Sequence, residues 1–264
     1  MNSLSVVIPA YNEESTVKGA LREVFLVARQ LGIEYEIIFV NDGSKDRTGE
    51  IVRKMTNEIP NLHVVEHWPN RGYGGALKAG FAVATKDLIA LYPADRQFRF
   101  DEIHLLLEHA KEADIVCGYR LNRRDALIRR INAFGWNLLV RGSFGYLSRD
   151  VDCGFKLFHR WVLNMVRLDS DGAMIDAELL ASARASGLRI AEVSVTHLPR
   201  RSGAATGANL SVIFKACRDL IRFRIHLMRD SIHHQESGLL LLPHPVKQAQ
   251  TIRNSNQDKT AQRY

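Results

Sequence analysis

The chain has 264 residues, 46% hydrophobic and 25% charged, which suits one globular domain large enough to bury a sizeable core. Its three cysteines, Cys117, Cys153 and Cys217, are widely spaced and exclude both a disulfide framework and a zinc pattern, so a reducing cytoplasm is expected. The strand-like run from Leu4 leaves no room for a signal peptide, and no apolar stretch approaches the ~18–20 residues of a membrane span.

In chain order, Leu4 to Ile8 reads as a strand ending in Pro9-Ala10-Tyr11-Asn12-Glu13-Glu14. Ser15 to Leu31 has helical spacing, with Val17, Leu21, Val24 and Leu31 on one face. Tyr35 to Val40 is a second strand, ending in Asn41-Asp42-Gly43-Ser44-Lys45-Asp46. A helix over 44–57 follows, with Ser44 as its expected N-cap. Strands are expected at 62–65, 87–91 and 113–117, and helices at 74–85 and 101–112. Residues 119–149 read as helical and basic, and 189–197 as a late strand. Such alternation argues for an α/β fold, a mostly parallel central sheet with helices on both faces. Polar residues then gather at the carboxyl ends of the strands, where open parallel sheets bind ligands.

The net charge of +7 is unevenly spread. Residues 119–149 hold seven Arg and one Asp, and residues 200–230 hold seven Lys or Arg and two Asp. Two basic segments on an otherwise mildly acidic protein point to anionic partners such as phosphates or lipid head groups. Nucleic acid is not expected, because no reader motif or interleaving of aromatic and basic residues accompanies the charge. A dinucleotide-binding fold is disfavoured, since Gly-x-Gly-x-x-Gly is missing after the first strand. The glycine-rich Asn70-Arg71-Gly72-Tyr73-Gly74-Gly75 comes later, before the small residues Ala76, Ala79 and Gly80.

Taken together and in order, these segments resemble family 2 glycosyltransferases. The resemblance runs from residue 4 to about 207. It rests on the two strand endings, the glycine-rich turn, Tyr92-Pro93-Ala94-Asp95-Arg96-Gln97, Asp152-Cys153-Gly154-Phe155-Lys156, Asp176-Ala177-Glu178-Leu179-Leu180 and His197-Leu198-Pro199-Arg200-Arg201. Within the family, the group around dolichol-phosphate mannose synthase and the bacterial polyprenyl-phosphate transferases is the most similar. Processive polysaccharide synthases carry Gln-x-x-Arg-Trp, whereas Leu157 precedes Arg160-Trp161 here.

The resemblance implies a GT-A fold and an inverting transfer of one sugar from a nucleotide donor, GDP-mannose or a UDP-hexose, to a polyprenyl phosphate. It implies that Pro9, Tyr11, Glu13 and Asp42 shape the nucleotide pocket, and that Asp95 and Gln97 hold Mg²⁺ or Mn²⁺ on the donor diphosphate. Pro93 stands where the family usually has a first aspartate. Arg200 and Arg201 would neutralise the leaving diphosphate, and Arg120 and Arg130 would hold the acceptor phosphate. A phosphate acceptor is already ionised at neutral pH, so no strong protein base is needed. Two alternatives stay open: a soluble hydroxyl acceptor with Asp176 as base, and a non-catalytic nucleotide-sugar-binding protein, which Pro93 supports.

The expected boundaries are a transferase domain over 1–207, a basic amphipathic helix over 208–230 and a polar, disordered tail over 231–264. Lys215, Arg218, Arg222, His226 and Arg229 recur at spacings of three and four on that last helix. A helix lying on an anionic membrane surface and a helix packed on the core with a solvated stripe both fit this periodicity. The first reading makes the protein peripheral on the cytoplasmic face of a membrane.

Overall fold

The computed structural model describes residues 3–121, 127–199, 217–227 and 229, the side chains of 127–133 excepted. Seven strands form: β1 (Leu4–Ala10), β2 (Tyr35–Asn41), β3 (Leu62–Glu66), β4 (Leu88–Leu91), β5 (Ile115–Leu121), β6 (Lys156–His159) and β7 (Ile190–Thr196). They make one sheet in the order β3-β2-β1-β4-β6-β5-β7. β6 pairs antiparallel with both β4 and β5, and every other pairing is parallel. The order runs outward from β1 in both directions, so the carboxyl ends of β1 and β4 flank a topological switch point.

The helices up to residue 199 are α1 (Val17–Gln30), α2 (Thr48–Met55), α3 (Tyr73–Val83), α4 (Ile103–His109), α5 (Leu127–Phe144) and α6 (Ile175–Ala185), among the described residues. Alternation along β1 sorts them onto two faces. Leu4, Val6 and Ile8 join the core formed with Val17, Leu21 and Val24 of α1, Val52 of α2 and Ile103 and Leu106 of α4. Val7 joins Ile38, Val40, Leu77 and Phe81 of α3, Val140 of α5 and Leu180 of α6 on the other face. Each fully buried Val, Leu or Ile stabilises this arrangement by about 1.5–3 kcal/mol. The small residues of α3 let it sit directly on the sheet: a Cβ at Gly80 would lie 2.4 Å from Val7 Cγ1.

The α/β layering and mostly parallel sheet agree with the sequence reading, and four details differ. Ser44 is not a helix cap. α2 begins at Thr48 with Arg47 at the N-cap, and the Ser44 hydroxyl accepts the Asn12 N–H instead. The helix expected over 101–112 forms as a 3-10 turn, Phe100–Glu102, running into α4. β5 extends to Leu121 because its pairing with β7 continues to Leu121–Thr196, so Tyr119 and Arg120 lie in a strand and not a helix. β6 went unread: it is four residues long and its lysine is fully buried.

Residues up to Leu227 form one compact unit, and the second unit, Met228–Tyr264, falls almost wholly outside the described residues. Of the expected helix over 208–230, residues 217–227 and 229 are described and are helical, whereas Lys215 and the tail over 231–264 lie outside. No helix among the described residues is long and apolar enough to cross a membrane.

Candidate active site

The carboxyl edge of the sheet is built first by two loops. The β1–α1 and β2–α2 loops are stitched together by five hydrogen bonds. The Asn12 N–H donates to Ser44 Oγ at 2.9 Å, and the Lys45 N–H to Asn12 Oδ1 at 2.8 Å. The Glu13 N–H reaches Thr48 Oγ1 at 2.8 Å, the Glu14 N–H reaches Asp46 Oδ2 at 3.1 Å, and the Arg47 N–H reaches Glu14 Oε2 at 3.0 Å. Asn12 takes φ +57°, a left-handed turn that asparagine tolerates. The carboxylate of Glu13 is buried and accepts the Thr16 hydroxyl at 2.8 Å, so it braces the start of α1. Pro9 is half-buried in β1, and Tyr11 is exposed beyond it.

Asp42, buried at the end of β2, ties in a third loop. Its Oδ1 accepts the Arg71 N–H at 2.8 Å and lies 2.7 Å from His67 Nδ1, while its Oδ2 accepts the Gly72 N–H at 2.8 Å. The glycine-rich turn is therefore a strap held by Asp42. Gly72 has φ +87°, and a Cβ there would sit 2.5 Å from the Asp171 carbonyl oxygen, so both conformation and space require glycine.

The β4 ending carries the expected metal ligands. Asp95 is half-buried and its Oδ1 accepts the Gln97 N–H at 3.1 Å. Between them Arg96 adopts φ +54°, and its side chain crosses to α1, 3.4 Å from Glu23 Oε2 and directly over Gly19. Strain of this kind costs of order 1–3 kcal/mol and gathers at functional sites. Gln97 is buried: its Nε2 lies 3.3 Å from His197 Nε2 and donates to the Leu198 carbonyl at 3.4 Å. Pro93 packs on the Asp152–Gly154 loop, where a Cβ at Gly154 would meet Pro93 Cγ at 2.6 Å.

Two oxygen donors on one turn, a carboxylate and an amide, fit a hard divalent cation that draws its remaining ligands from diphosphate and water. Among the described residues no group of three or more His, Cys, Asp and Glu side chains could hold a metal alone.

Beyond β4 the edge becomes a buried ionic cluster. Arg120, expected from sequence to hold the acceptor phosphate, is a part-buried bidentate partner of Asp150: Nε to Oδ2 is 2.6 Å and Nη2 to Oδ1 is 2.7 Å. Asp176, the first acidic residue of α6, receives the Lys156 ammonium at 2.7 Å, and Lys156 also donates to the Cys153 carbonyl. Burial alone would lower the Lys156 pKa, but the charge and hydrogen bond of Asp176 help raise it above its ordinary value. Asp152 accepts the Trp136 indole N–H at 2.9 Å. Burial, then the charges of Asp176 and Asp150, push the Asp152 carboxyl up to about 7. Burial, then Asp176, also pushes the Tyr73 phenol well above its usual value. Burial raises the Cys117 and Cys153 thiols to about 12, so neither is a nucleophile at neutral pH.

The edge thus brings together Pro9, Tyr11, Glu13, Asp42, Asp95, Gln97, Arg120 and Asp176. Arg130 lies in the first turns of α5 with its side chain outside the described residues, as do Arg200 and Arg201 entirely. His197, Asp150, Asp152, Lys156, Trp136 and Tyr73 were not expected as participants. Asp152, Lys156 and His197 stand within recognised motifs, but nothing in their spacing marks a pairing with Trp136, Asp176 or Gln97.

Residues 5–167 match the family model for Glycosyl transferase family 2. The chain belongs to this family. It is 32% identical over 217 residues to the undecaprenyl-phosphate 4-deoxy-4-formamido-L-arabinose transferase of Pectobacterium atrosepticum, covering 81% of this chain and 65% of that one. It is 31% identical over 240 residues to the dolichyl-phosphate beta-glucosyltransferase ALG5A of Trichomonas vaginalis, covering 84% of this chain and 73% of that one. The chain thus spans about two thirds of the length of its arabinose-transferase relatives. Among solved structures, mannosyl-3-phosphoglycerate synthase from Rubrobacter xylanophilus superposes with a TM-score of 0.67 at 18% identity over 92% of this chain and 78% of that one. Glucosyl-3-phosphoglycerate synthase from Mycobacterium tuberculosis, in complex with Mn²⁺, UDP-glucose and glycerol 3-phosphate, gives 0.64 at 19% identity over 86% of this chain and 80% of that one. At these identities the structures establish the fold, a GT-A type sheet.

Proposed function

We propose that the protein is an inverting glycosyltransferase that moves one sugar from a nucleotide donor, GDP-mannose or a UDP-hexose, to a polyprenyl phosphate. The observation that carries the reading is the common element in the relatives' names. One acts with undecaprenyl phosphate and another with dolichyl phosphate, while their sugars differ. Each aligns with more than four fifths of this chain.

In this mechanism the stitched loops at 11–14 and 42–48 form a rigid wall for the nucleotide, with Pro9, Tyr11, Glu13 and Asp42 setting its shape. Rigidity matters because ordering loops on binding would subtract from affinity. Asp95 and Gln97 would hold Mg²⁺ or Mn²⁺, which neutralises charge developing on the departing diphosphate. Arg200 and Arg201 are assigned to the same leaving group and Arg130 to the acceptor phosphate, since arginine suits bidentate phosphate contact. Arg120, engaged by Asp150, is better assigned to positioning the β5 end than to direct contact with the acceptor. The acceptor oxygen is anionic and attacks the anomeric carbon without a protein base. A hydroxyl acceptor would need Asp176 as base, and the ammonium of Lys156 on its Oδ1 weighs against that.

A polyprenyl tail stays in the bilayer, so the reaction is assigned to the cytoplasmic face of a membrane with the enzyme bound peripherally. The test is release of nucleoside diphosphate from a panel of nucleotide sugars, with and without a polyprenyl phosphate and a divalent cation. Release that needs both supports the reading, and donor binding with no release in any combination leaves only a binding protein.

A further inference from the structure

We propose that Gly19 and Glu23 of α1 form a dock for the Arg96 side chain that fixes the turn carrying Asp95 and Gln97, with Glu23 as a positioning residue for the divalent cation. This deepens the transferase reading and rests on its assignment of Asp95 and Gln97 to the metal. The motive is the set of partners that Glu23 holds. It lies on a helix, outside every strand-end motif, yet both of its carboxylate oxygens face the segment after β4. Oε1 accepts the Phe100 N–H at 2.8 Å, and Oε2 lies 3.4 Å from Arg96 Nη2. The same segment is braced internally by Tyr92, whose buried hydroxyl donates to the Phe98 carbonyl at 2.9 Å. Burial, then the negative charge of Glu23, raises the Tyr92 phenol above its ordinary value, so that hydroxyl stays a donor.

Arg96 is the strained point of the turn. It adopts φ +54° between the two ligands, so its backbone angles set how Asp95 and Gln97 face each other. Its Nε is buried with no hydrogen-bond partner among the described residues. A residue with both a left-handed backbone and an unmet donor persists only where its surroundings over-determine it. The helix supplies those surroundings. Gly19 and Glu23 are four residues apart and share one face of α1. Gly19 leaves the space, since a Cβ there would lie 2.6 Å from Arg96 Nη1 and 3.2 Å from its Cδ. Glycine is a poor helix former, and no left-handed φ calls for it at this position. The space taken by Arg96 accounts for it.

The other side of the turn is tied to the segment after β7. The Leu198 N–H donates to the Gln97 carbonyl at 2.8 Å, and Gln97 Nε2 donates back to the Leu198 carbonyl. The turn is therefore clamped from two sides. Two side-chain donors on one turn hold a cation well only if their mutual angle is fixed, and the dock fixes it. The dock is open at its rim: it borders a cavity of about 390 Å³, so a displaced Arg96 side chain has room to leave without disturbing the core.

The test uses the full chain and separates metal from nucleotide. Calorimetry measures the binding of UDP and of GDP, each with Mn²⁺ and with chelator in its place. The parent should bind one of them more tightly with Mn²⁺, and Asp95→Ala should lose that gain. Gly19→Ala should weaken the Mn²⁺-dependent binding about tenfold, from the strain no longer held, with chelated binding unchanged. Its melting temperature should equal or exceed the parent's, because alanine favours the helix. Glu23→Gln keeps an acceptor for the Phe100 N–H but drops the charge facing Arg96, and should weaken the same binding several-fold. Glycine adopts φ +54° without a dock, so Gly19→Ala/Arg96→Gly should return to within about threefold of the parent. A purely structural role for Gly19 would give no such rescue. Parental Mn²⁺-dependent binding by Gly19→Ala, or an equal loss with chelator present, would overturn the proposal. If Asp95→Ala alone loses the gain, the metal assignment stands and the dock falls. A parent that gains nothing from Mn²⁺, or an Asp95→Ala variant that keeps the gain, would sink the metal assignment and the dock with it.

Discussion

Removing Lys156 separates the structural from the chemical role of the ionic cluster. Its side chain is 0% exposed, and its ammonium is held by Asp176 at 2.7 Å and by the Cys153 carbonyl. Lys156→Met keeps most of the volume but strands Asp176, which is 4% exposed, without its counter-charge. Breaking one partner of such a pair costs about 3–5 kcal/mol, a large part of the ~5–15 kcal/mol that keeps a domain folded. Asp176→Leu should cost a similar amount, because it leaves a buried ammonium. Replacing both leaves no orphan charge, so Lys156→Met/Asp176→Leu should cost less than either single change, a coupling of about 3 kcal/mol or more. Urea unfolding of the four proteins followed by circular dichroism reads these values. The pH arm has a fixed sign. The Lys156 pKa lies above its ordinary 10.5, so the pair's stabilisation is present below that value and is lost as pH rises through the raised one. Single-variant costs that add within ~0.5 kcal/mol would refute the reasoning, because independent sites behave that way.

Three further outcomes follow from the geometry. Asp152 has a folded pKa of about 7 against an ordinary 3.8, so between those values the folded state binds a proton that the unfolded state lacks. Its contribution to stability therefore falls as pH rises across that window, by on the order of 1 kcal/mol per pH unit. Asp152→Asn keeps an acceptor for Trp136 and should gain on the parent between pH 5 and pH 8 in urea melts; a constant difference would contradict this. Asp95→Ala should lower turnover at least about a hundredfold, scaled to the several kcal/mol a metal supplies, with an unchanged melting temperature. Full activity of that variant in excess chelator would remove the metal assignment. Asp42→Ala frees two backbone N–H groups and His67, so it should destabilise by roughly 2–4 kcal/mol and raise the donor KM. A variant with parental stability would show that the glycine-rich strap holds itself.

The layered α/β fold could be read from the chain because its strands are continuous apolar runs separated by helical periodicity, the signature of a sheet buried on both faces. β6 could not, since four residues with a buried lysine carry no period. The strand-end motifs placed Asp42, Asp95 and Gln97 on one edge, because parallel strands direct their carboxyl ends the same way. Partnership was invisible. Nothing in the sequence around Arg120 says that Asp150, thirty residues on, takes up its guanidinium, or that Lys156 turns inward to Asp176. Ser44 looked like a cap by type and position, yet the β1–α1 loop competed for its hydroxyl. Of the basic periodicity over 211–229, the described Arg218, Arg222 and His226 do share a face, but a periodicity fixes only which residues share a face. What that face meets, here the acidic loop at 169–171, is decided by tertiary packing.

The central claim is sugar transfer to a polyprenyl phosphate, and its most direct measurement uses a nucleotide sugar labelled in the sugar. The purified chain is incubated with Mg²⁺ or Mn²⁺ and a polyprenyl phosphate, and the organic phase is counted. The account predicts label in an acid-labile lipid phosphate, dependent on metal and lipid phosphate and absent when the lipid is the free alcohol. Equal label on polyprenyl alcohol, or transfer only to a water-soluble hydroxyl, would contradict it.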